Sequence, residues 1–465
     1  MSLRRYMSTK LGVPLADDLD DEDTKKNLLM LYQCMQQHTH NLHQPVPTQV
    51  AKRESINRNR SEADARLMHD YFIDGCTWGP KKFHGCLGMY RLLFLKIMHK
   101  ICEVDPDFRK RKDAARIPGH SPHMKMYAVM KCLCIGIPPD SIDDYTRMAA
   151  STIYYYIKKF CDAIMFGFNA EYMRRPTMND VKCLMKENAV RGFPGMLGIL
   201  ECMHWGCRVC QQDETGTHTS QKSYSTCVLE AVASYDRWFW HGYFGVGGPS
   251  NDLNVLKSSN LFDENLNGIA PPCHFTINAN QSAQGYYLVD GIYKSYSVLV
   301  QAYGAPSGIP ILELFNKYQM EKRKDVERTF GTLKSKFRIL YHRCNYWEKK
   351  DMKSIMRTCL ILHNIVVEDE HRDSEWNYVS DPPHALIVGY LRQKSEALQN
   401  PVLQERLRTD LAGHIWERHG QGLRDGEIPG DAIDNELDSG EDTDEVDVDQ
   451  DHYDPGGLFL DSDSE

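Results

Sequence analysis

Residues 225–246 read STCVLEAVASYDRWFWHGYFGV, and this stretch decides the fold class. Two runs rich in β-branched and aromatic side chains, Ser225–Ser234 and Trp238–Val246, flank Tyr235-Asp236-Arg237. Such runs parted by a polar tripeptide predict a β-hairpin, with Asp236 shaping its turn. Outward on the N-terminal side lies the short apolar run Gly198-Ile199-Leu200; on the C-terminal side lie Phe275-Thr276-Ile277 and Tyr286–Val289. From about 316 to 367 the pattern turns helical. Val326, Phe330, Leu333 and Phe337 fall at i, i+4, i+7 and i+11, which marks one buried stripe. Strands followed by helices, with acids at strand ends, predict an α+β or α/β catalytic core.

The region before the strands reads as helical. Leu92, Leu95, Met98 and Ile101 suggest one buried helix face. Arg109-Lys110-Arg111-Lys112 follows as a basic patch. Ser121-Pro122 is a helix start, with Met126, Val129, Met130 and Leu133 on its apolar side. A break at Gly136-Ile137-Pro138-Pro139 leads to a short segment, Ser141–Ala149, and then to a helix capped by Ser151 with Ile153, Ile157 and Phe160 inward. This layout suits a helix-turn-helix, which would turn Tyr154, Tyr155, Lys158 and Lys159 outward toward phosphates and base edges. An ordinary helical bundle with a tyrosine-rich surface fits the same pattern. A last amphipathic helix is expected at 402–416, with Leu403, Leu407, Leu411 and Ile415 on one side.

Composition excludes other classes. Hydrophobic residues make up 42% and aromatics 10%, enough for a packed core, so wholesale disorder is excluded. No window approaches the ~18 apolar residues of a membrane helix. The start, MSLRRYMSTKLGVPLADD, lacks the apolar run of a secretory signal. The expectation is a soluble, intracellular protein that does not enter a membrane. Of 64 acids, 15 fall in residues 431–465, which hold no Lys or Arg. The first 430 residues therefore carry 49 acids against 55 bases, a net of +6. A basic body suits a polyanion, and an acidic tail either competes for that surface or keeps the chain soluble.

Fifteen cysteines without regular spacing read as reduced thiols. Cys207-Arg-Val-Cys210, with Cys202, His218 and Cys227 nearby, offers half a zinc site, but its second half has no recognisable spacing.

Three acids stand where a metal-dependent phosphodiester chemistry needs them. Two metal ions about 4 Å apart are held by carboxylates from rigid elements. Glu201 follows Gly198-Ile199-Leu200, Asp290 follows Tyr286–Val289, and Glu327 lies on the helix of Val326 and Phe330. Arg323, Gly331, Lys334 and Arg338 share the helical column of Glu327 and would meet DNA phosphates. The same column is equally a solvated face with i,i+4 ion pairs.

At these residues the sequence resembles a known family. ECMHW (201–205), LEAVASYDRWFWHGYFGVGGPSNDLNVL (229–256), LFDENLNGIAPP (261–272), YYLVDGIY (286–293), KDVERTFGTLKSKFRIL (324–340) and MRTCLILHNIVVEDE (356–370) resemble the plant-type branch of the PIF/Harbinger transposases. The likeness runs from about 66 to 420 and includes SPHMKMYAVMKCLCIGIPPDSIDDY (121–145) and LRTDLAGHIWERHG (407–420).

The resemblance implies an RNase H-like catalytic core of the DDE type, preceded by a helical region with a helix-turn-helix. It implies two divalent metals, normally Mg²⁺ with Mn²⁺ as the alternative, held by Glu201, Asp290 and Glu327. The family's first acid is an Asp before Cys-Met-His-Trp, and here that position is Glu201. Glu keeps the charge but adds one methylene, about 1.5 Å of reach. Asp252 matches another family block and either supports the site or serves as a helix N-cap or turn acid. His204, beside the first acid, is a group near the metals or a satisfied, partly buried histidine; His363-Asn364 reads as core hydrogen bonding. DNA is the implied partner, with a Myb-like or SANT-type accessory protein, and the nucleus is the implied location. A domesticated, catalytically inactive DNA- or chromatin-binding protein is the alternative. The expected organisation is a weakly ordered segment 1–65, a helical region 66–190, a nuclease core 191–370, a helical extension 371–420 and a disordered acidic tail 421–465.

Overall fold

The computed structural model describes residues 58–112, 116–207, 226–247, 252–263, 270–293, 296–304, 308–344, 348–370 and 400–422, with single positions 30, 265 and 306. The acidic tail, nearly all of the segment 1–65, and Cys210 and His218 lie outside the described residues.

The hairpin forms as its sequence predicts. Strand β2 (Thr226–Ala233) pairs antiparallel with β3 (Phe239–Gly247), and the turn between them is built by Asp236. Its Oδ1 accepts from Ser234 Oγ and, at 3.3 Å, from Trp238 N. On the other side β2 pairs antiparallel with β1 (Met196–Gly206). Among the described residues, strands β4 (Phe275–Ile277) and β5 (Asn280–Ser282) pair only with each other. Strand β6 (Tyr286–Leu288) runs parallel to β1, and β7 (Leu299–Val300) runs parallel to β6. The sheet order is therefore β3-β2-β1-β6-β7, three antiparallel strands followed by two parallel ones. With helices packed on this mixed sheet the fold is α+β.

Before the sheet come α1 (Arg60–Tyr71), α2 (Pro80–Leu87), α3 (Arg91–Val104), α4 (Pro122–Ile135), α5 (Asp143–Thr146), α6 (Ala150–Tyr172) and α7 (Met178–Val190). Ser121 caps α4 as expected, its Oγ accepting from Met124 N at 3.1 Å. Helix α4 ends at Gly136, whose positive φ of 77° and close contact with the Arg338 backbone exclude a side chain there. Two details depart from expectation. Helix α6 starts at Ala150 after Ala149, with no side-chain cap, so Ser151 lies inside the helix. In α3 the buried face is Leu93, Phe94, Ile97, Met98 and Ile101, while Leu92 is 76% exposed. Spacing by three drifts around a helix of 3.6 residues per turn, so Leu92 and Met98 cannot share a face.

After β3 come α8 (Asp252–Ser258), α9 (Pro310–Lys336), α10 (Lys349–Glu370) and α11 (Pro401–Gly420). The α9 stripe is buried as predicted: Val326, Phe330 and Leu333, continued by Phe337 just past the helix end. On α11, Leu411 and Ile415 are buried but Leu403 is 44% exposed. No helix among the described residues is long and apolar enough to cross a membrane.

Helix α10 is the spine, packing against α6 on one side and β3 on the other. From Ile355 to Val367 nearly every side chain is buried, so its polar residues must be satisfied internally. Asn364 donates to Tyr172 O at 2.7 Å and Phe239 O at 2.8 Å, and accepts from Phe239 N at 2.9 Å. Arg357 reaches Asn169 of α6 at 2.9 Å and Gly242 O of β3 at 3.1 Å. Gly242 has no side chain because Leu360 of α10 fills that space. Replacing Asn364 by Ala would leave three buried backbone groups without their partner, each worth ~1–3 kcal/mol. The expected loss is about 3 kcal/mol in urea unfolding, with the midpoint falling at unchanged slope.

Candidate metal and nucleic-acid site

Side chains alternate along β1, so Ile199, Glu201, Met203 and Trp205 share one face, and Leu200, Cys202 and His204 the other. The parallel register pairs Ile199 with Leu288. Two residues further on, Glu201 therefore stands beside Asp290, just beyond the end of β6. Glu201 lies inside an eleven-residue strand rather than at its end, as the short run Gly198-Ile199-Leu200 implied. Asp290 sits in the turn, its Oδ1 accepting from Gly291 N at 2.6 Å.

Helix α9 crosses this face and supplies the third component. Gln319, fully buried, donates to Val289 O at 2.9 Å and Val300 O at 3.3 Å, fastening the helix to the ends of β6 and β7. One turn later, Arg323 Nη2 donates to Glu201 Oε2 at 2.6 Å and Nη1 to Asp290 Oδ1 at 3.3 Å. A single guanidinium thus bridges both acids. Another turn on, Glu327 is exposed and takes no part in this bridge. The structure brings Glu201 and Asp290, expected as metal ligands, to one guanidinium; Arg323, expected on a phosphate-facing column, turns its side chain onto these acids. Gln319 was missed, since nothing in a lone glutamine on a helix announces two carbonyl partners.

Whether divalent metals fit is a question of donors and convergence. The donors are carboxylate oxygens, which suit hard divalent cations. Glu201 and Asp290 already converge on one cationic group, so these two fit. Glu327 stands apart, and among the described residues no group of three or more His, Cys, Asp or Glu side chains is arranged to hold a metal.

Behind β1, on the opposite face, Asp252 begins α8. Burial raises its pKa, with the Cys202 thiol as its hydrogen-bonding neighbour pulling the other way. Cys202 Sγ also lies 3.5 Å from Tyr293 Oη, and burial raises the thiol's pKa. His204 Nδ1 meets Thr226 Oγ1 at 3.2 Å on this same face, turned away from Glu201. Trp205 is buried and donates to His342 O at 3.0 Å. His363 is buried against Arg237 O at 2.9 Å, and burial lowers its pKa to about 3, so it stays neutral in the core. Cys207 is buried and bridges by backbone to Cys344.

The candidate DNA-contacting side chains of α6 have partners within the chain. Lys158 Nζ is 2.7 Å from Asp351, and Lys159 Nζ is 3.3 Å from Asp105 and 3.2 Å from Asp107. Tyr155 Oη donates to Asp107 at 2.8 Å. Tyr154 is half-buried in a hollow of about 510 Å³ with Ile137, Pro138, Tyr341 and His342. On α9, Lys334 is half-buried, and Arg338 just beyond the helix is exposed, along the line of Glu327 and Gly331.

Residues 170–374 match the family described as plant transposon protein. The match spans the sheet, α9 and α10, including all three acids. This part of the chain is thus similar to plant transposon proteins. A curated relative, Protein ALP1-like from Arabidopsis thaliana, is 25% identical over 236 residues, 49% of this chain and 56% of that protein. The chain thus spans about half the length of the curated relative it matches. No solved structure matches it. The family is related to DDE nucleases, which use divalent metals.

Charge reversal tests the α6 pairs. Lys159→Glu would set three carboxylates together and should lower stability by about 1 kcal/mol, since like charges at contact repel. Lys324→Glu, at an exposed position of α9, should change it by less than ~0.5 kcal/mol. Thermal unfolding of the two variants side by side reads the difference.

Proposed function

We propose that this chain is a DNA-binding protein with a divalent-metal-dependent DNA endonuclease and strand-transfer core, its ligands being Glu201, Asp290 and Glu327. The observation that carries the reading is the convergence of Glu201 and Asp290, from adjacent parallel strands, on one cationic group. When bound, a pair of Mg²⁺ or Mn²⁺ ions activates a water or a DNA 3′-hydroxyl and stabilises charge on the scissile phosphate. The chain's own residues bind and orient. Gln319 sets the helix against the strand ends, and the exposed line of Glu327, Gly331 and Arg338 gives DNA a way to approach the acids. The helices α4, α5 and α6 act as the helix-turn-helix region of this reading, in a nuclear protein assisted by a Myb-like or SANT-type partner. The basic balance of residues 1–430 supports a polyanionic ligand.

A second reading is a binding protein whose chemistry has lapsed. Two observations favour it: Glu stands where the family has Asp, and Glu327 does not join the other two acids. An ångström of misplacement costs about a hundredfold in rate, and the extra methylene is of that size.

Plasmid nicking in Mg²⁺ and Mn²⁺ decides between them. The wild type should nick supercoiled DNA, and Asp290→Ala, at a position 55% exposed, should lower the rate at least about a hundredfold without loss of fold. Glu201→Asp should speed it by about tenfold or more as the ligand regains its shorter arm. Equal nicking by wild type and Asp290→Ala would remove Asp290 from the chemistry. Silence of both wild type and Glu201→Asp, with DNA binding retained, would leave the second reading in place.

A further inference from the structure

We propose that Arg323 is the placeholder cation of the acid pair: it positions Glu201 and Asp290 in the metal-free chain and must withdraw before they take up a divalent ion. This inference rests on the metal-dependent reading above and concerns a residue to which that reading gives no part.

Two carboxylates on neighbouring strands repel each other, and more strongly where water is scarce. Glu201 is 16% exposed, so its charge is poorly screened. Without a cation between them the middle of β1 and the turn after β6 would be pushed apart. Arg323, 17% exposed, supplies that cation with one nitrogen on each acid. The same geometry closes the place where a shared metal ion would sit, because each acid already has an oxygen committed to the guanidinium.

Three features make the arginine releasable. Its contact with Asp290 is the longer one, 3.3 Å, and Asp290 is 55% exposed, so water competes for it. Its Nε is buried without a hydrogen-bond partner, which makes the bridging pose an incompletely satisfied one. Glu327 lies four residues later on the same helix face, where a freed guanidinium finds either that carboxylate or an arriving phosphate. Arg323 is thus a positioning residue in the resting chain and becomes free for a polyanion once the acids have another cation.

The extra methylene of Glu201 belongs to the same picture. A longer arm reaches the guanidinium at 2.6 Å from within the strand, strengthening the arginine-held state relative to an aspartate at that position.

The test is Mn²⁺ affinity, read by electron paramagnetic resonance titration of the full chain without DNA, together with thermal stability in chelator. Arg323→Gln should bind Mn²⁺ about tenfold more tightly than wild type, yet melt at a lower temperature in chelator, because the acids lose their cation. Arg323→Lys, which keeps the charge, should stay near wild type in both. A merely structural arginine moves the two readouts together, with affinity falling as stability falls. Equal or weaker Mn²⁺ binding by Arg323→Gln, while Asp290→Ala abolishes it, overturns the placeholder and leaves the metal site standing. Mn²⁺ binding unchanged in Asp290→Ala, or none by any variant, overturns the metal site and the placeholder with it.

Discussion

The parallel pairing of β6 with β1 is the contact on which the candidate site depends. It aligns Leu288 with Ile199, and the pleat then carries Glu201 and Asp290 to the same side of neighbouring strands. A slip of one residue would put Cys202 in the place of Glu201 and turn the acid toward Asp252. Strand β6 is only three residues long, so its register needs outside support. Gln319 gives that support from α9 by binding the carbonyls of Val289 and Val300, and the apolar stripe of α9 holds the helix in place. The packing that fixes the sheet is thus also what delivers Arg323 to the acids.

A second constraint joins the helices before the sheet to the sheet itself. Helix α10 is buried on nearly all sides, and its polar side chains hold their neighbours by hydrogen bonds where water cannot compete. Asn364 and Arg357 both reach α6 and β3, so the C-terminal end of α6 is fastened to the core. Its outward side chains feel that placement too. Lys158 finds Asp351 at the start of α10, and Lys159 finds Asp105 and Asp107. The positive side chains that a nucleic acid would use are held by carboxylates of the same chain, and a polyanion must exchange those partners to reach them.

Much of the fold was legible because its signals are local. The hairpin at 225–246 declared itself through two β-rich runs and a turn acid, and the α9 stripe through i, i+4, i+7 spacing. The reading slipped where a local pattern had two phases. Leu92 shares an apolar run with Leu93, and only contact with the rest of the chain selected Leu93 for the core. It slipped again at Ser151, a good cap residue that the helix passed over because the chain entered α6 two residues sooner.

By itself, then, the sequence determined which segments become strands and helices, which acids stand on them, and the family to which their blocks are akin. These depend on periods of 2 and 3.6 and on residues near one another in the chain. Only the tertiary structure decided who meets whom. Arg323 bonds an acid 122 residues before it and another 33 before it, and Glu327 on the same helix does not join them. The choice follows from strand register, helix crossing and the need of two adjacent carboxylates for a counter-ion, none of which is encoded in a window of neighbouring residues.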